Sequence, residues 1–222
     1  MKRYMLFSGG IDSVVALDIL MNTPGFRDGP LPVLVFFDYC QSCSDEERRC
    51  FGIWACQYDL NGRIIHTSAY KHALIDKPYC DWVFNGATPP ESGEYAPDLL
   101  TLPGRNLFLL TMAAIELFDP NDTVVEFILG THLYEEGNFA GDCSENFLKS
   151  AGKTLSHAMS TPTRQVIYKV YSPVQKMTKK DILDYMVSHK IGLENTWTCY
   201  LSGTKPCGNC RHCKELKKSG LL

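Results

Sequence analysis

With 222 residues and a mass of 25.0 kDa, the chain has the size of one medium domain with a small appendage. Its 45% hydrophobic and 21% charged content is ordinary for a soluble globular protein with a real core. A formal charge of −3 gives no general electrostatic pull toward nucleic acid or anionic membrane, and no apolar run reaches the roughly 18–20 residues that span a bilayer. "RYMLF" (3–7) reads as a short buried strand, and "DSVVALDILMN" (12–22) follows with helical spacing that turns Val15, Leu17, Ile19 and Leu20 inward. After the turn "GFRDGPLP" comes a second β-branched and aromatic run, "VLVFF" (33–37). Residues 44–60 begin with an N-cap serine and first-turn acids, a helix start, and "GRIIHTS" reads as a third strand.

The stretch from Tyr70 to Leu102 holds Pro78, Pro89, Pro90 and Pro97 with several glycines, which predicts a long functional loop with one short helix. "NLFLLTMAAIELF" (106–118) predicts a buried helix and "VVEFILG" (124–130) a strand. A polar stretch (131–143), a helix around 144–159, the strand "QVIYKVYSPV" and a threonine-capped helix over 178–191 complete the order. Strands alternating with helices predict an α/β fold, a doubly wound parallel sheet covered on both faces. The Cys-rich end is too short for a domain and reads as a metal-pinned appendix. The expected division is 1–195 and 196–222.

The opening "MKRYMLFSGG" passes directly into a glycine turn without a signal-peptide pattern, so the expected location is the cytoplasm. In that compartment clustered cysteines more often mean metal or chemistry than disulfides, and the chain has ten. Cys199, Cys207, Cys210 and Cys213 form C-x7-C-x2-C-x2-C, enough thiolates for one tetrahedral structural zinc ion. A four-cysteine iron–sulfur centre has the same spacing, and unliganded thiols are the third option. Gly208 permits the turn between ligands, and Lys205, Arg211 and Lys214 would offset the thiolate charge. With four cysteines filling the shell, His212 is expected on the surface.

The first strand-to-helix turn, "SGGIDS" (8–13), is built for an anion. A helix N-terminus offers unpaired N–H groups and partial positive charge. Gly9 and Gly10 allow the backbone to wrap a phosphate, Ser8 and Ser13 add hydroxyls, and Asp12 could hold Mg2+ against phosphate oxygens. It is neither a GxxxxGK[ST] nor a GxGxxG loop. The alternative is a plain connection with a glycine turn and a polar N-cap.

"SGGIDS" resembles the SGGxDS pyrophosphate loop of the N-type ATP pyrophosphatases, which adenylate a carbonyl or carboxylate oxygen. "FFDYCQSCSDEE" resembles the "FDYGQRHxxE" of 7-cyano-7-deazaguanine synthases at Asp38, Tyr39, Gln41 and Glu46. "LPGRNLFLLTMAAI" resembles their "VPGRNxxFLxxAA" block at Pro103, Gly104, Arg105 and Asn106, and "TWTCYLSGTKPCGNCRHCKELKKSGL" their C-terminal zinc segment.

The resemblance implies a Rossmann-like, adenine-nucleotide-α-hydrolase-like fold with an ATP pyrophosphatase domain over 1–195. It implies ATP contacts at Phe7, Ser8, Gly9, Gly10, Asp12, Ser13, Phe37 and Asp38, and substrate contacts at Tyr39, Gln41, Arg105, Asn106 and Glu136. Catalytic roles fall to Asp12, to Arg105 for substrate or developing charge, to Asp142 for the base or ammonia, and to Lys179 for phosphate charge. Without the resemblance, Arg105 and Asn106 could equally be a surface arginine and a helix cap, and Lys179 a solvated first-turn lysine. The implied reaction uses ATP, Mg2+ and ammonia to turn 7-carboxy-7-deazaguanine into the nitrile through acyl-adenylate and amide, in a homodimer with structural Zn2+.

The pattern breaks at two places. The family's "GYPDCR" is here "NFAGDCSEN", keeping Asp142 and Cys143, and "DYGQRH" is "DYCQSC", which creates Cys40 and Cys43. These changes favour, as rivals, a ligase that stops at the amide or transfers the deazaguanine to a protein or nucleic-acid amine. A tRNA sulfur transferase using Cys143, or a nucleotide-binding module without turnover, are further options. Cys40 and Cys43 read as idle thiols, a redox pair or half a metal site, Cys143 as nucleophile or packing, and Cys50, Cys56 and Cys80 as structural.

Overall fold

A computed structural model of the chain describes residues 1–75, 77, 80–87, 102–132 and 141–222. The apolar runs become strands β1 (Lys2–Leu6), β2 (Val33–Asp38), β3 (Gly62–His66), β4 (Val124–Ile128) and β5 (Ile167–Tyr171). They form one sheet in the order β3-β2-β1-β4-β5, and every neighbouring pair is parallel. Parallel neighbours cannot be joined by tight turns, so helices make the crossovers. These are α1 (Ile11–Asn22), α2 (Ser44–Gln57), α3 (Ala69–Ala73), α4 (Cys80–Phe84), α5 (Arg105–Glu116) and α6 (Glu145–Met159), with α7 (Lys179–Ser188) and α8 (Arg211–Lys218) following β5.

Side chains alternate between the two faces of each strand, and both faces are buried. Met5, Leu34 and Phe36 face α1, α2 and α7, in a core with Leu17, Phe51, Trp54, Ile182 and Met186. Tyr4, Val35 and Phe37 face the other way, onto Leu110 and Ala113 of α5 and Leu148 and Leu155 of α6. The sheet is therefore doubly wound, as its strand–helix alternation predicts. Across the β1–β4 pair, Arg3 stands opposite Glu126 and donates to it from Nε at 2.9 Å.

Several local details differ from expectation. Cys43, not Ser44, is the N-cap of α2, because the Ser44 N–H is already turned back to the Gln41 carbonyl at 3.1 Å. Helix α5 is buried on one face only: Leu110 and Ala113 are inside, but Leu107 and Ile115 are 44% and 57% exposed, since the sheet covers a single side. Where one short helix is expected between 70 and 102, the described residues hold α3 and α4, and 88–101 lie outside them. The Cys-rich end carries helix α8, which buries Cys213 and Leu216. Thr178 does cap α7, in a reciprocal capping box with Asp181. Among the described residues no helix is long and apolar enough to cross a membrane.

The chain steps outward from β1 to β2 to β3, then returns to add β4 on the other side of β1. The connections at the carboxyl ends of β1 and β4 thus leave in opposite directions and open a crevice, the usual place for a ligand in such sheets.

Candidate functional site

The β1–α1 turn lines that crevice. Gly9 has φ +77, and a Cβ there would lie 2.6 Å from Cys50 Cβ and 3.0 Å from the Glu47 carbonyl oxygen. Its lack of a side chain is demanded by packing against α2 as well as by the turn. Gly10 is in ordinary extended geometry (φ −71, ψ 157), so of the two glycines only Gly9 uses a φ that other residues avoid. Gly130, just past β4, is required by close approach: its Cβ would meet Ser13 N and Cα at 2.7 Å. The first turn of α1 therefore sits directly on the end of β4.

Of the two serines, exposed Ser8 accepts the Gly10 N–H at 3.3 Å, while buried Ser13 spends its hydroxyl hydrogen on the Gly10 carbonyl at 2.8 Å. Phe7 is 2% exposed in the core, leaving only its backbone to the turn. The turn is held from outside by residues far along the chain. Trp197 N–H donates to the Gly9 carbonyl at 3.0 Å, and Ile11 N–H donates to Thr198 Oγ1 at 3.2 Å.

Asp12 and Lys179, 167 positions apart, meet at 2.6 Å between Oδ1 and Nζ. His132, after β4, lies 3.9 Å from the other carboxylate oxygen. Burial works against the charge of Asp12, but Lys179, then His132 and His212, outweigh it and hold the carboxyl below its usual value. His212 is thus not the surface residue expected. It is half-buried, with its ring 4.7 Å from that of Tyr200, and α8 brings it toward Asp12. Its neighbour Glu215 is pulled down to about 2: burial raises it, but His212, Arg211 and Lys179 prevail.

Across the crevice stand the end of β2 and the start of α5. Phe37 is 5% exposed within the core, which leaves its ring no face for a ligand. Asp38 turns inward to its own loop: Oδ1 accepts Cys40 N–H at 3.1 Å, and Oδ2 faces His66 at 3.3 Å. Gln41 is likewise occupied. Its Oε1 accepts Tyr39 N–H at 2.9 Å, and its Nε2 donates to the Phe37 carbonyl at 3.0 Å and to Glu47 Oε2 at 2.8 Å.

Tyr39 packs edge-on to Tyr70 and Phe84, and burial raises its phenol while Arg105 opposes. Arg105 acts on Tyr39, Glu47 and Cys143 together, which locates its charge among them. Burial pushes the Glu47 carboxyl up to about 7 against Gln41 and Arg105. The resemblance falls on its neighbour Glu46, whose Oε1 accepts Gly203 N–H at 2.6 Å and ties the C-terminal segment to α2. No local pattern separates these adjacent acids; only the helix face does.

Asp142 and Asn106 form one unit. Asp142 Oδ2 accepts the Asn106 backbone N–H at 3.1 Å, capping α5, and Asn106 Nδ2 donates to the Asp142 carbonyl at 3.0 Å and to Cys143 Sγ at 3.5 Å. Burial, aided by Asp142, pushes the Cys143 thiol up to about 12. Glu136 lies outside the described residues. Cys40, with φ +67, is in the left-handed region where the resembled pattern has glycine. Cys43 is buried and Cys40 half-buried; both are free thiols outside any metal-ligating group among the described residues. Cys50 is buried, whereas Cys56 is exposed rather than structural, and the Cys80 side chain lies outside the described residues.

Cys199, Cys207, Cys210 and Cys213 converge, with all four sulfurs within 4.8 Å of one another. Backbone N–H groups aim at the sulfurs: Leu201 and Cys207 donate to Cys199 Sγ at 3.4 and 3.3 Å, Asn209 and Cys210 to Cys207 Sγ at 3.4 and 3.3 Å. Such donors stabilise thiolates, and the group fits a metal ion.

Comparison with known proteins agrees with this architecture. Curated relatives named 7-cyano-7-deazaguanine synthase include one from Campylobacter fetus, 26% identical over 213 residues and covering 96% of this chain and 89% of the relative. One from Methanosarcina mazei is 27% identical over 222 residues, covering 96% and 90%. Among solved structures, the U34-tRNA thiolase NcsA from Methanococcus maripaludis, solved with its [4Fe-4S] cluster, aligns with TM-score 0.50 at 12% identity. That match covers 99% of this chain but 66% of the thiolase, and it speaks to the fold alone. The model of the queuosine biosynthesis protein QueC matches residues 2–221. The chain belongs to the QueC family of queuosine biosynthesis proteins.

Proposed function

We propose that the chain is an ATP-dependent ligase that makes 7-cyano-7-deazaguanine from 7-carboxy-7-deazaguanine and ammonia. The observation that carries this reading is the Asp12–Lys179 pair, 2.6 Å apart at the switch point of the sheet, in a chain of this family. A carboxylate oxygen is a poor leaving group until it carries a phosphoryl substituent. The substrate carboxylate attacks the α-phosphorus of ATP, and pyrophosphate leaves. Ammonia attacks the acyl carbon, AMP departs, and the nitrogen sheds a proton to give the amide. Adenylation of the amide oxygen, then loss of AMP and the remaining N–H protons, yields the nitrile.

In this reading the β1–α1 turn, with Ser8, Gly9, Gly10 and Ser13 around it, receives the triphosphate, and Phe7, Phe37 and Asp38 border the nucleotide through backbone. Lys179 would turn from Asp12 to the phosphates, and Asp12 would hold Mg2+, which when bound would supply charge stabilisation to the departing pyrophosphate. Arg105 orients the substrate carboxylate, Asn106 and Asp142 fix the start of α5, and Tyr39, Gln41 and Glu136 border the base. The four cysteines would hold zinc: sulfurs around one ion at about 2.3 Å stand roughly 3.8 Å apart, compatible with a group spanning at most 4.8 Å. A cytoplasmic homodimer, divided at about residue 195 into a nucleotide domain and a metal segment, completes the reading.

A second reading, in which the enzyme stops at the amide or hands the acyl group to another amine, draws on Cys40, Cys43 and the altered stretch before Cys143. A sulfur-transfer role is disfavoured by a Cys143 thiol held up at about 12, since the thiolate is the nucleophile. The test supplies ATP, Mg2+, the deazaguanine acid and ammonium, and follows pyrophosphate and product mass. Nitrile with pyrophosphate is expected; amide as the end product selects the second reading, and no pyrophosphate refutes both.

A further inference from the structure

The C-terminal metal segment touches the β1–α1 turn more closely than a stabilising appendage needs to. Residues 194–203 run as a strap across α2 and the turn: the Glu194 and Asn195 carbonyls accept from Arg49 Nη2 and Trp54 Nε1 at 3.0 and 2.7 Å. Ser42 Oγ donates to the Tyr200 carbonyl at 3.0 Å. Between these anchors, Trp197 and Thr198 make the two contacts to Gly9 and Ile11 already described. Two metal-ligating cysteines bracket the parts that reach the crevice: Cys199 directly follows Thr198, and Cys210 opens the helix carrying Arg211 and His212.

Thr198 Oγ1 accepts Ile11 N–H, so its one hydroxyl hydrogen remains to be donated, and no acceptor for it stands among the described residues. Ser8 Oγ likewise accepts from Gly10 N–H, and it lies 3.5 Å from Ser13 Oγ, the one neighbour to which its own hydrogen points among the hydrogen bonds of the described residues. The two hydroxyls flank one spot: a Cβ built on Gly10 would be 3.3 Å from Ser8 Oγ, 3.5 Å from the Trp197 carbonyl oxygen and 4.0 Å from Thr198 Oγ1. That spot is the open side of the turn that Gly10 leaves bare.

We propose that Thr198 is a nucleotide-binding residue whose hydroxyl donates to a phosphate oxygen over Gly10, and that ligation at Cys199 and Cys210 fixes this wall, so that metal and nucleotide binding are linked. The inference rests on the assignment of ATP to the β1–α1 turn. Linkage is reciprocal: if bound metal tightens nucleotide binding by some factor, nucleotide tightens metal binding by the same factor.

The experiment measures Mg·ATP affinity by calorimetry on metal-loaded wild type, Thr198→Val, Thr198→Ser and Asp12→Ala. It also measures wild-type zinc affinity against a chromophoric chelator, with and without ATP. Thr198→Val, with metal content and circular dichroism unchanged, is expected to bind ATP about 10-fold more weakly or worse, as for a lost hydrogen bond to a charged group, and Thr198→Ser to bind as wild type. Zinc affinity is expected to rise several-fold with ATP, a measurement that needs no variant. ATP binding that is lost in Asp12→Ala but unchanged in Thr198→Val, or zinc affinity indifferent to ATP, overturns this inference and leaves the turn's assignment standing. Wild type that binds no ATP overturns both.

Discussion

The two glycines of the β1–α1 turn are adjacent but do different work, and substituting each by alanine separates those jobs. At Gly9 the new methyl meets Cys50 Cβ at 2.6 Å and the Glu47 carbonyl at 3.0 Å, with φ at +77. The left-handed conformation costs a non-glycine residue roughly 1–2 kcal/mol. Forcing a methyl into a packed contact with backbone costs roughly 1–3 kcal/mol more. The sum, about 2–5 kcal/mol, corresponds in a chain of this size to a Tm lowered by roughly 4–20 °C. At Gly10 the backbone is extended and the nearest atom is the mobile Ser8 hydroxyl at 3.3 Å, so Tm is expected within about 2 °C of wild type. That methyl, however, occupies the bare side of the turn, and Gly10→Ala is expected to weaken ATP at least tenfold. Differential scanning calorimetry and titration with Mg·ATP read the two effects. If Gly9→Ala melts with wild type, or Gly10→Ala binds ATP with wild-type affinity, the division of roles is wrong.

Cys40→Gly is expected to stabilise the fold by about 0.5–1 kcal/mol in urea unfolding, because relief of the φ +67 strain exceeds the added chain entropy of glycine. Glu47 contributes a pH dependence with a definite sign: its folded value of about 7 lies above the ordinary carboxylate range, so the fold binds this proton more tightly than the unfolded chain does. Its contribution is full below about pH 4.5 and is lost as pH rises through 7, by about 3 kcal/mol; Glu47→Gln is expected to flatten that slope in urea midpoints taken from pH 4.5 to 8. Iodoacetamide at pH 7.5 is expected to label exposed Cys56 and leave Cys143 unmodified in mass spectra, since the Cys143 thiol stays protonated. Cys210→Ser is expected to release the metal and lower Tm, read by metal content and calorimetry.

What the sequence revealed was what repeats locally. The β-branched runs, the helical spacing after each of them and the Thr178 cap are written within a few residues, and they determine the doubly wound sheet. The cysteine spacing marks a cluster because turn geometry brings x2 neighbours together. What stayed hidden depends on registers between distant elements. Asp12, His132 and Lys179 become neighbours only once α1, the β4 end and α7 are packed. Asp18, which accepts from Tyr185 at 2.8 Å and also from Tyr58, reads in sequence as an ordinary polar position of an amphipathic helix; α7 covers it and makes it a buried carboxylate. Gly9 looks like a phosphate glycine, and only the proximity of Cys50 exposes its packing role. Glu46 and Glu47 differ by one position and about 100° around α2, enough to send one to Gly203 and the other to Gln41.

The crevice has two walls, and the departures from the family pattern fall on one of them. The wall made by 8–13, Lys179 and the cysteine strap retains the hydroxyls, the acid–lysine pair and the four converging thiols. The wall made by the end of β2 and the start of α5 carries Cys40 in a left-handed conformation, Cys43 buried beside Glu47, and Cys143 bonded to Asn106. Backbone strain at a non-glycine residue persists where the surroundings over-determine it, and such residues cluster at functional sites. Here Asp38 Oδ1 holds Cys40 N–H, and Gln41 locks the adjacent Tyr39 N–H, so the loop keeps its shape at the cost of that strain. In the proposed reaction, chemistry at phosphorus would need only the first wall, whereas what meets the activated acyl carbon would be decided at the second. In that reaction pyrophosphate release therefore tests the first wall, and product mass tests the second.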